Sequence, residues 1–304
     1  VTFTQWTELY GIQVKEEKDF LLTSSEGTFF FAPLDSLLLK EKKELLGWLN
    51  YDLSLLLPTA VAVKRIDGGF VTRHLNVEGI LFFIRNPVTP FSQTAEALAR
   101  FQNASLQLNL PVKELSSYGQ WPELWAQRLD QWKETESSYT WYVKALGENA
   151  ISMAKDAWFD HDPRGSDAPV IARRSRHQQS FYYSLPVNWI YDHPARDLAE
   201  QLRPLLFRRN GAAVSWLRDF LTYRKLSRLG WTLLIARLLF PLDAIELAES
   251  EGSEEQRNLK RQKLEDKISL YESNLKMIIQ LGGQRTAELA KHLSWLHEAR
   301  RVNR

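Results

Sequence analysis

The chain has 304 residues, 44% hydrophobic and 25% charged, with a net charge of +2. This ordinary composition suits two lobes or domains and argues neither for nor against nucleic acid. Cysteine is absent, which excludes disulfides, thiolate metal sites and cysteine nucleophiles, and no apolar run nears the ~18 residues of a membrane span.

Residues 1 to about 88 read as a small α+β lobe. The apolar run Phe20 to Thr23 and the aromatic run Thr28 to Ala32 flank the turn signal Ser24-Ser25-Glu26-Gly27 and predict a hairpin. Leu37 to Leu57 reads as a helix, with Leu38, Leu45, Leu49 and Leu53 at helical spacing. Three strands follow, at Val61 to Lys64, Phe70 to Arg73 and Gly79 to Ile84, with Asp67-Gly68-Gly69 as the tight turn between the first two. Prolines and polar residues at 85–91 mark a hinge.

From residue 89 to 304 the pattern is mostly helical. Helices are expected after Ser92, over Trp121 to Trp132 and over Ser138 to Lys155. A polar loop is expected over Asp156 to Gln179, then helices near 196–208, 213–228, 231–249, 254–280 and 285–297. Trp121, Trp125 and Trp132 share one helical face and read as core. The acidic run Glu246 to Glu255 reads as a solvated helix end and linker.

Four motifs stand out in order. They are Tyr118-Gly119-x-Trp121-x-x-Leu124-Trp125-x-x-Arg128-Leu129-Asp130, then Gly147-Glu148-Asn149-Ala150-Ile151, then Trp189-Ile190-Tyr191-Asp192-His193-Pro194-Ala195-Arg196-Asp197-Leu198-Ala199-Glu200, and last Trp231-x-Leu233-Leu234-x-Ala236-Arg237-Leu238-Leu239-Phe240-Pro241-Leu242. Together they resemble the spore coat-associated kinase-like (CotS-type) family. Its nearest branch is that of the endospore coat-associated protein YutH. The strong matches cover roughly residues 116 to 245, and the N-terminal lobe matches only in layout. The resemblance implies an α+β, bilobal protein-kinase-like fold, shared with aminoglycoside and choline kinases, with a small β-rich N-lobe and a larger helical C-lobe.

Phosphoryl transfer needs several positioned groups. The turn that should cradle phosphates is Thr23 to Gly27, with one glycine and a carboxylate. The strand that should carry a lysine is Phe29-Phe30-Phe31-Ala32-Pro33, and it ends in Ala-Pro. Glu41 and Glu44, the candidate partners of such a lysine, read as surface charges. The catalytic loop falls near Val170 to Arg176, with Ser175 where an aspartate is expected, and Gln178, Gln179 and Ser180 replace the following asparagine. No catalytic residue is therefore assigned.

Asp192 keeps the position of the magnesium-holding aspartate. It is the one candidate for residual metal or nucleotide binding, although a structural role, bonded to backbone or to Arg173 or Arg196, reads better. Asp197, just inside the next helix, reads as structural. Asp160-His161-Asp162 reads as a solvated loop. The basic run Arg173 to His177 lacks regularly spaced stacking aromatics, so no nucleic-acid partner is expected.

The expectation is a degenerate kinase with a binding or scaffolding role in sporulation. The alternative is an ATP-dependent phosphotransferase acting on a small hydroxylated molecule or a coat protein, with Asp160, Asp162 or Asp167 as base. No cofactor is expected; ATP and Mg²⁺ enter only with residual binding at Asp192. Expected partners are spore coat proteins, with no membrane span. Without a secretory signal, the expected location is cytoplasmic synthesis followed by the spore coat or spore surface. Oligomeric state is not legible.

Overall fold

Alternating and aromatic runs in the first third of the chain assemble one antiparallel sheet. In the computed structural model, the described residues are 4–18, 20–34, 40–56, 60–84, 94–107, 116–133, 137–159, 165–173, 189–208, 211–250, 252–289 and 293, with side chains from Lys43 onward in the helix that begins at Lys40. By contacts the chain groups into two units: Val1–Ser116 with Ile171–Tyr191, and Ser117–Val170 with Asp192–Arg304. This grouping joins segments on both sides of residue 88. The expected hinge at 85–91 lies outside the described residues.

The first unit opens with α1 (Thr4–Tyr10), followed by β1 (Val14–Lys18), β2 (Leu21–Ser24), β3 (Thr28–Pro33), α2 (Lys40–Leu56), β4 (Val61–Ala62), β5 (Val71–His74), β6 (Val77–Ile84) and α3 (Ala95–Ser105). The six strands run in the order β1-β2-β3-β6, with β4 and β5 both paired to β6. Trp6, Ile12, Leu22, Phe29, Phe31 and Leu81 form a core on one side of the sheet. On α2, Leu46, Leu49 and Leu53 are buried at helical spacing. Gly47 lies against the Phe70 ring, where an added Cβ would come within 2.5 Å of it. The charges of β1, Val-Lys-Glu-Glu-Lys, occupy an edge strand, where they discourage pairing with another chain.

The hairpin expected across Asp67-Gly68-Gly69 does not form. Val61 and Ala62 pair with Phe83 and Phe82, and Val71 to His74 pair with Ile80 to Val77, so both short strands lean on β6 and not on each other. The two-residue hairpin is instead β5–β6, turned by Leu75 and Asn76 at φ 48° and 65°. Two positive φ values match the right-handed twist of the flanking strands. Leucine is a poor residue there, which is why sequence gave no turn signal. α1 and β1 have no counterpart among the sequence expectations, because neither carries a strong period.

β7 (Val170–Arg173) and β8 (Trp189–Asp192) form a separate two-stranded sheet. β7 lies inside the expected Asp156–Gln179 loop, a correction: three apolar residues and Arg173 form it, and all four are buried. Within the first unit, Ser105 accepts from the Ile171 N–H at 3.3 Å, and the Phe101 and Trp189 rings meet edge to face at 6.1 Å.

The second unit contains α4 (Trp121–Gln131), α5 (Ser138–Phe159), α6 (Ala195–Leu206), α7 (Ala212–Tyr223), α8 (Arg228–Leu239), α9 (Leu242–Glu249), α10 (Glu254–Glu265) and α11 (Ile268–Gly282). The helix expected over 231–249 breaks at Pro241, which cannot continue it. The one expected over 254–280 breaks at Asp266-Lys267. The 213–228 helix stops at Tyr223, and residues 283–289 form a 3₁₀ turn where an α-helix was expected. The orphan carbonyls at the end of α8 are taken by buried donors: Arg203 reaches Arg237 O and Phe240 O, and the Tyr271 hydroxyl reaches Leu238 O. None of the helices among the described residues is long and apolar enough to cross a membrane.

Leu75 is 56% exposed, so its side chain contributes little packing. Leu75→Asn should relax the left-handed turn and raise the unfolding free energy by about 0.5–1 kcal/mol, read by urea denaturation.

Candidate functional site

Asp192 ends β8, and the next two residues turn the chain into α6. Pro194 has no N–H to satisfy. His193 Nδ1 accepts from the Ala195 N–H at 3.0 Å, and His193 O accepts from the Arg196 N–H at 2.9 Å. The first donors of α6 are thus consumed by the residue that precedes the proline. The Asp-His-Pro sequence is a helix start built from its own side chains.

The Asp192 carboxylate is fully buried and holds this corner to the segment before α4. Its Oδ2 accepts from Ser117 Oγ at 2.6 Å, Trp121 Nε1 at 2.9 Å and Arg196 Nη1 at 2.8 Å, and its Oδ1 accepts from the His193 N–H at 2.7 Å. Three donors converge on Oδ2 and one on Oδ1, so both oxygens are engaged. Arg196 comes one helical turn after Asp192, so its cation folds back onto the acid. Of the two arginines expected as partners, Arg196 is the one bonded to Asp192.

That donor set does not fit Mg²⁺. The ion takes oxygen ligands in near-octahedral geometry and keeps several waters, whereas Asp192 faces a guanidinium, an indole N–H, a hydroxyl and an amide. Among the described residues no group of three His, Asp or Glu side chains is placed to hold a metal ion.

His193 links Asp192 to a second acid. Its Nδ1 is occupied as an acceptor, so the proton sits on Nε2, which donates to Asp167 Oδ1 at 3.2 Å. The same Asp167 oxygen accepts from Ser227 Oγ at 2.6 Å, and Asp167 O accepts from the Tyr118 hydroxyl at 2.6 Å. Ser227 also caps α8 by accepting from the Gly230 N–H. The imidazole lies among the Tyr118, Trp121 and Trp158 rings, with centroids 6.1, 6.3 and 5.8 Å away. Burial lowers the His193 pKa below its ordinary value, although hydrogen bonding and charge from Asp167 oppose this. Arg224, which donates to Ser166 O, is lowered to about 10 by burial.

The four motifs meet in this unit. Trp121 donates to Asp192 and stacks under the Arg237 guanidinium at 4.7 Å. Arg237 pairs at 3.0 Å with the buried carboxylate of Glu200, which closes the Asp192–Glu200 motif. Trp125 stacks on Phe240 at 4.6 Å with planes 11° apart. Gly147 packs on Leu129, where an added Cβ would come within 2.8 Å of the leucine side chain. Asp197 is fully buried in the first turn of α6.

Elsewhere, the Thr23–Gly27 turn closes on itself: the Ser24 N–H donates to Gly27 O and the Glu26 N–H to Ser24 Oγ. Glu44 is not a surface charge, which corrects the sequence expectation. Its carboxylate accepts from the Phe70 and Val71 N–H groups at 2.8 and 3.0 Å. A lysine–carboxylate pair does exist near the end of β3, with its polarity reversed: Lys43 comes from α2 and Glu78 from β6, 2.6 Å apart. Lys43 carries no sequence signal for this pairing, because it lies in the charged run of α2. Ser117 and the indole N–H of Trp121 carry none either, because nothing in their spacing ties them to residue 192. Ser175, Gln178, Gln179, Ser180, Asp160, His161 and Asp162 lie outside the described residues.

The profile of the family described as "Spore coat putative kinase YutH" matches residues 5–281. The chain belongs to that family. The endospore coat-associated protein YutH of Bacillus subtilis (strain 168) is 30% identical over 202 residues, which span 57% of this chain and 59% of that protein. A crystal structure of an aminoglycoside phosphotransferase from Alicyclobacillus acidocaldarius superposes with a TM-score of 0.61 at 14% identity, covering 89% of this chain and 92% of the other. The amicoumacin kinase hAmiN, solved with AMP-PNP, Ca²⁺ and its antibiotic, gives 0.51 at 14% identity, covering 88% and 92%. At that identity the likeness establishes the fold: the chain is a kinase-like α+β protein of the aminoglycoside phosphotransferase type.

Two measurements test the corner. Asp192→Ala should lower the unfolding free energy by about 3–5 kcal/mol, because it strands the Arg196 charge, and Ser117→Ala by about 1.5–3 kcal/mol. The pH dependence follows from His193. A buried imidazole with a lowered pKa binds its proton less readily than the unfolded chain does. Its stabilisation is therefore complete above the ordinary value of about 6.5 and is lost as pH falls below it toward the folded-state value. Urea midpoints should fall below that pH, and His193→Gln should flatten the decline.

Proposed function

We propose that this chain is a non-catalytic member of the kinase-like spore coat family, acting as a binding or scaffolding component in the coat or its assembly. The observation that carries this reading is the fully buried Asp192 carboxylate, whose two oxygens are bonded by Ser117, Trp121, Arg196 and the His193 amide, with the Arg196 cation already beside it. A metal at Asp192 would have to displace Oδ2 donors or share Oδ1 with the His193 amide, against the positive charge that Arg196 already supplies. Here the acid is committed to tying the segment before α4, α4 itself and α6 together.

Three further features support it. The strand position for a phosphate-pairing lysine is Ala32-Pro33, and Ala32 is buried. In the turn before it, the Ser24 and Glu26 amides are bonded to the turn's own atoms. Asp167, a base candidate for an active enzyme, is engaged by His193 and Ser227. Oriented charge stabilisation of this kind typically contributes orders of magnitude in rate, so its loss favours binding over turnover. Location at the spore coat and partners among coat proteins follow from the family and belong to the same proposal.

Nucleotide binding is the deciding measurement. A ligand at a hundred times its Kd stabilises a protein by about 2.7 kcal/mol, well within reach of a thermal scan. With ATP and Mg²⁺ or Mn²⁺ at millimolar concentration, the melting temperature should stay where it is without them. A metal-dependent rise that disappears in Asp192→Asn, or transfer of the γ-phosphate to a small hydroxylated acceptor or a coat protein, would overturn the reading.

A further inference from the structure

Helix α2 carries two apolar stripes. The inward one, Leu46, Leu49 and Leu53, is buried. The outward one is Trp48, Tyr51 and Leu55, spaced three and four residues apart, so that the three share one face. Trp48 is 42% exposed and Leu55 is 71% exposed. Single exposed apolar residues are ordinary on a surface. An aligned tryptophan, tyrosine and leucine are not, and tryptophan and tyrosine are enriched among residues that dominate binding energy.

The stripe is also held in place. The Trp48 ring meets the Phe70 ring edge to face at 5.2 Å, and Phe70 is itself fully buried beneath Gly47. A side chain fixed before binding loses little entropy when a partner arrives.

Its charge is specific. The Lys64 ammonium lies 4.0 Å from the centre of the Trp48 ring and 4.4 Å from that of Tyr51. Nearby cations have carboxylates: Lys43 has Glu78 and Arg65 has Asp67. Among the described residues Lys64 has ring faces only. A cation at the margin of an exposed aromatic surface, lacking a carboxylate, complements an acidic group set beside apolar side chains.

We propose that the Trp48–Tyr51–Leu55 face of α2, with Lys64 at its margin, docks an acidic amphipathic helix of another protein. Its apolar side chains would cover Trp48 and Leu55, and a glutamate or aspartate flanking them would meet the Lys64 ammonium. The surface uses none of the residues around Asp192, so it stands or falls independently of the nucleotide test.

Fluorescence anisotropy of labelled helical peptides against the full chain tests it. The probe carries leucines at i, i+3 and i+7 flanked by glutamates, and the control carries lysines in place of the glutamates. The acidic peptide should bind at least tenfold more tightly than the basic one. Trp48→Ala and Leu55→Ser should each weaken it at least tenfold; Leu55, being mostly exposed, keeps the test valid where loss of Trp48 disturbs Phe70. Lys64→Glu should reverse the preference in favour of the basic peptide. Absence of binding, equal binding of both peptides, or affinity indifferent to Leu55→Ser and Lys64→Glu would overturn the proposal. So would concentration-dependent self-association in sedimentation velocity that Leu55→Ser abolishes, since that would assign the face to a second copy of this chain.

Discussion

A buried carboxylate must be neutralised and fully bonded, or the fold cannot keep it. Taking an ion from water costs several kcal/mol, and only close opposite charge and saturated hydrogen bonding offset that cost. Asp192 meets the condition through three side chains, drawn from the segment before α4, the start of α4, and α6, and through the amide of the turn that follows it. Those elements are therefore bound by a constraint stricter than apolar contact. Leucines can slide past one another at modest cost, whereas a carboxylate with four donors has one arrangement. The neighbouring pairs, Glu200 with Arg237 and Asp167 with His193, extend the same constraint to α8 and to the turn at 165–167.

Seen in this way, the family's motifs have a physical explanation that does not pass through catalysis. Trp121 supplies both an indole donor for Asp192 and a ring face for Arg237. Glu200 and Arg237 belong to different motifs and complete one buried pair. Trp125 and Phe240 stack between the first motif and the last. Residues far apart in sequence are tied because each satisfies a buried group of the next. Such a network stabilises the fold and not a transition state, so it can hold a kinase-like fold whether or not the chain handles phosphate.

Much of this was legible in the sequence, and what was not has identifiable causes. The strands of β2, β3 and β6, the helices α3 to α6 and the aromatic stripe of α4 follow from period and punctuation. Arg196 was readable as a partner of Asp192, because four residues make one helical turn. Ser117 and Trp121 were not readable as partners, since 75 and 71 residues separate them from Asp192 and no local pattern reports a contact at that range. Glu44 was misread for a related reason: a carboxylate in a charged run looks solvated until the amides of Phe70 and Val71 are brought beside it. The long C-terminal helices were read as continuous because Pro241 was absorbed into an apolar motif, and because Asp266-Lys267 is a break without glycine or proline. The four buried residues of β7 were hidden by the polar residues on either side.

The first unit is assembled from two stretches of chain, Val1–Ser116 and Ile171–Tyr191, separated by residues of the second. During synthesis the six-stranded sheet can pair as soon as β6 has emerged, since every one of its strands precedes residue 85. Trp189, which packs on Phe101, arrives more than eighty residues later, after α4 and α5 have been made. For that interval the unit exposes the apolar surface that Phe101 will later share, and the second unit still lacks Asp192 and its corner. The first unit is complete once β8 has been made, whereas the second still awaits α6 to α11, which carry much of its core, so the two cores are acquired one after the other.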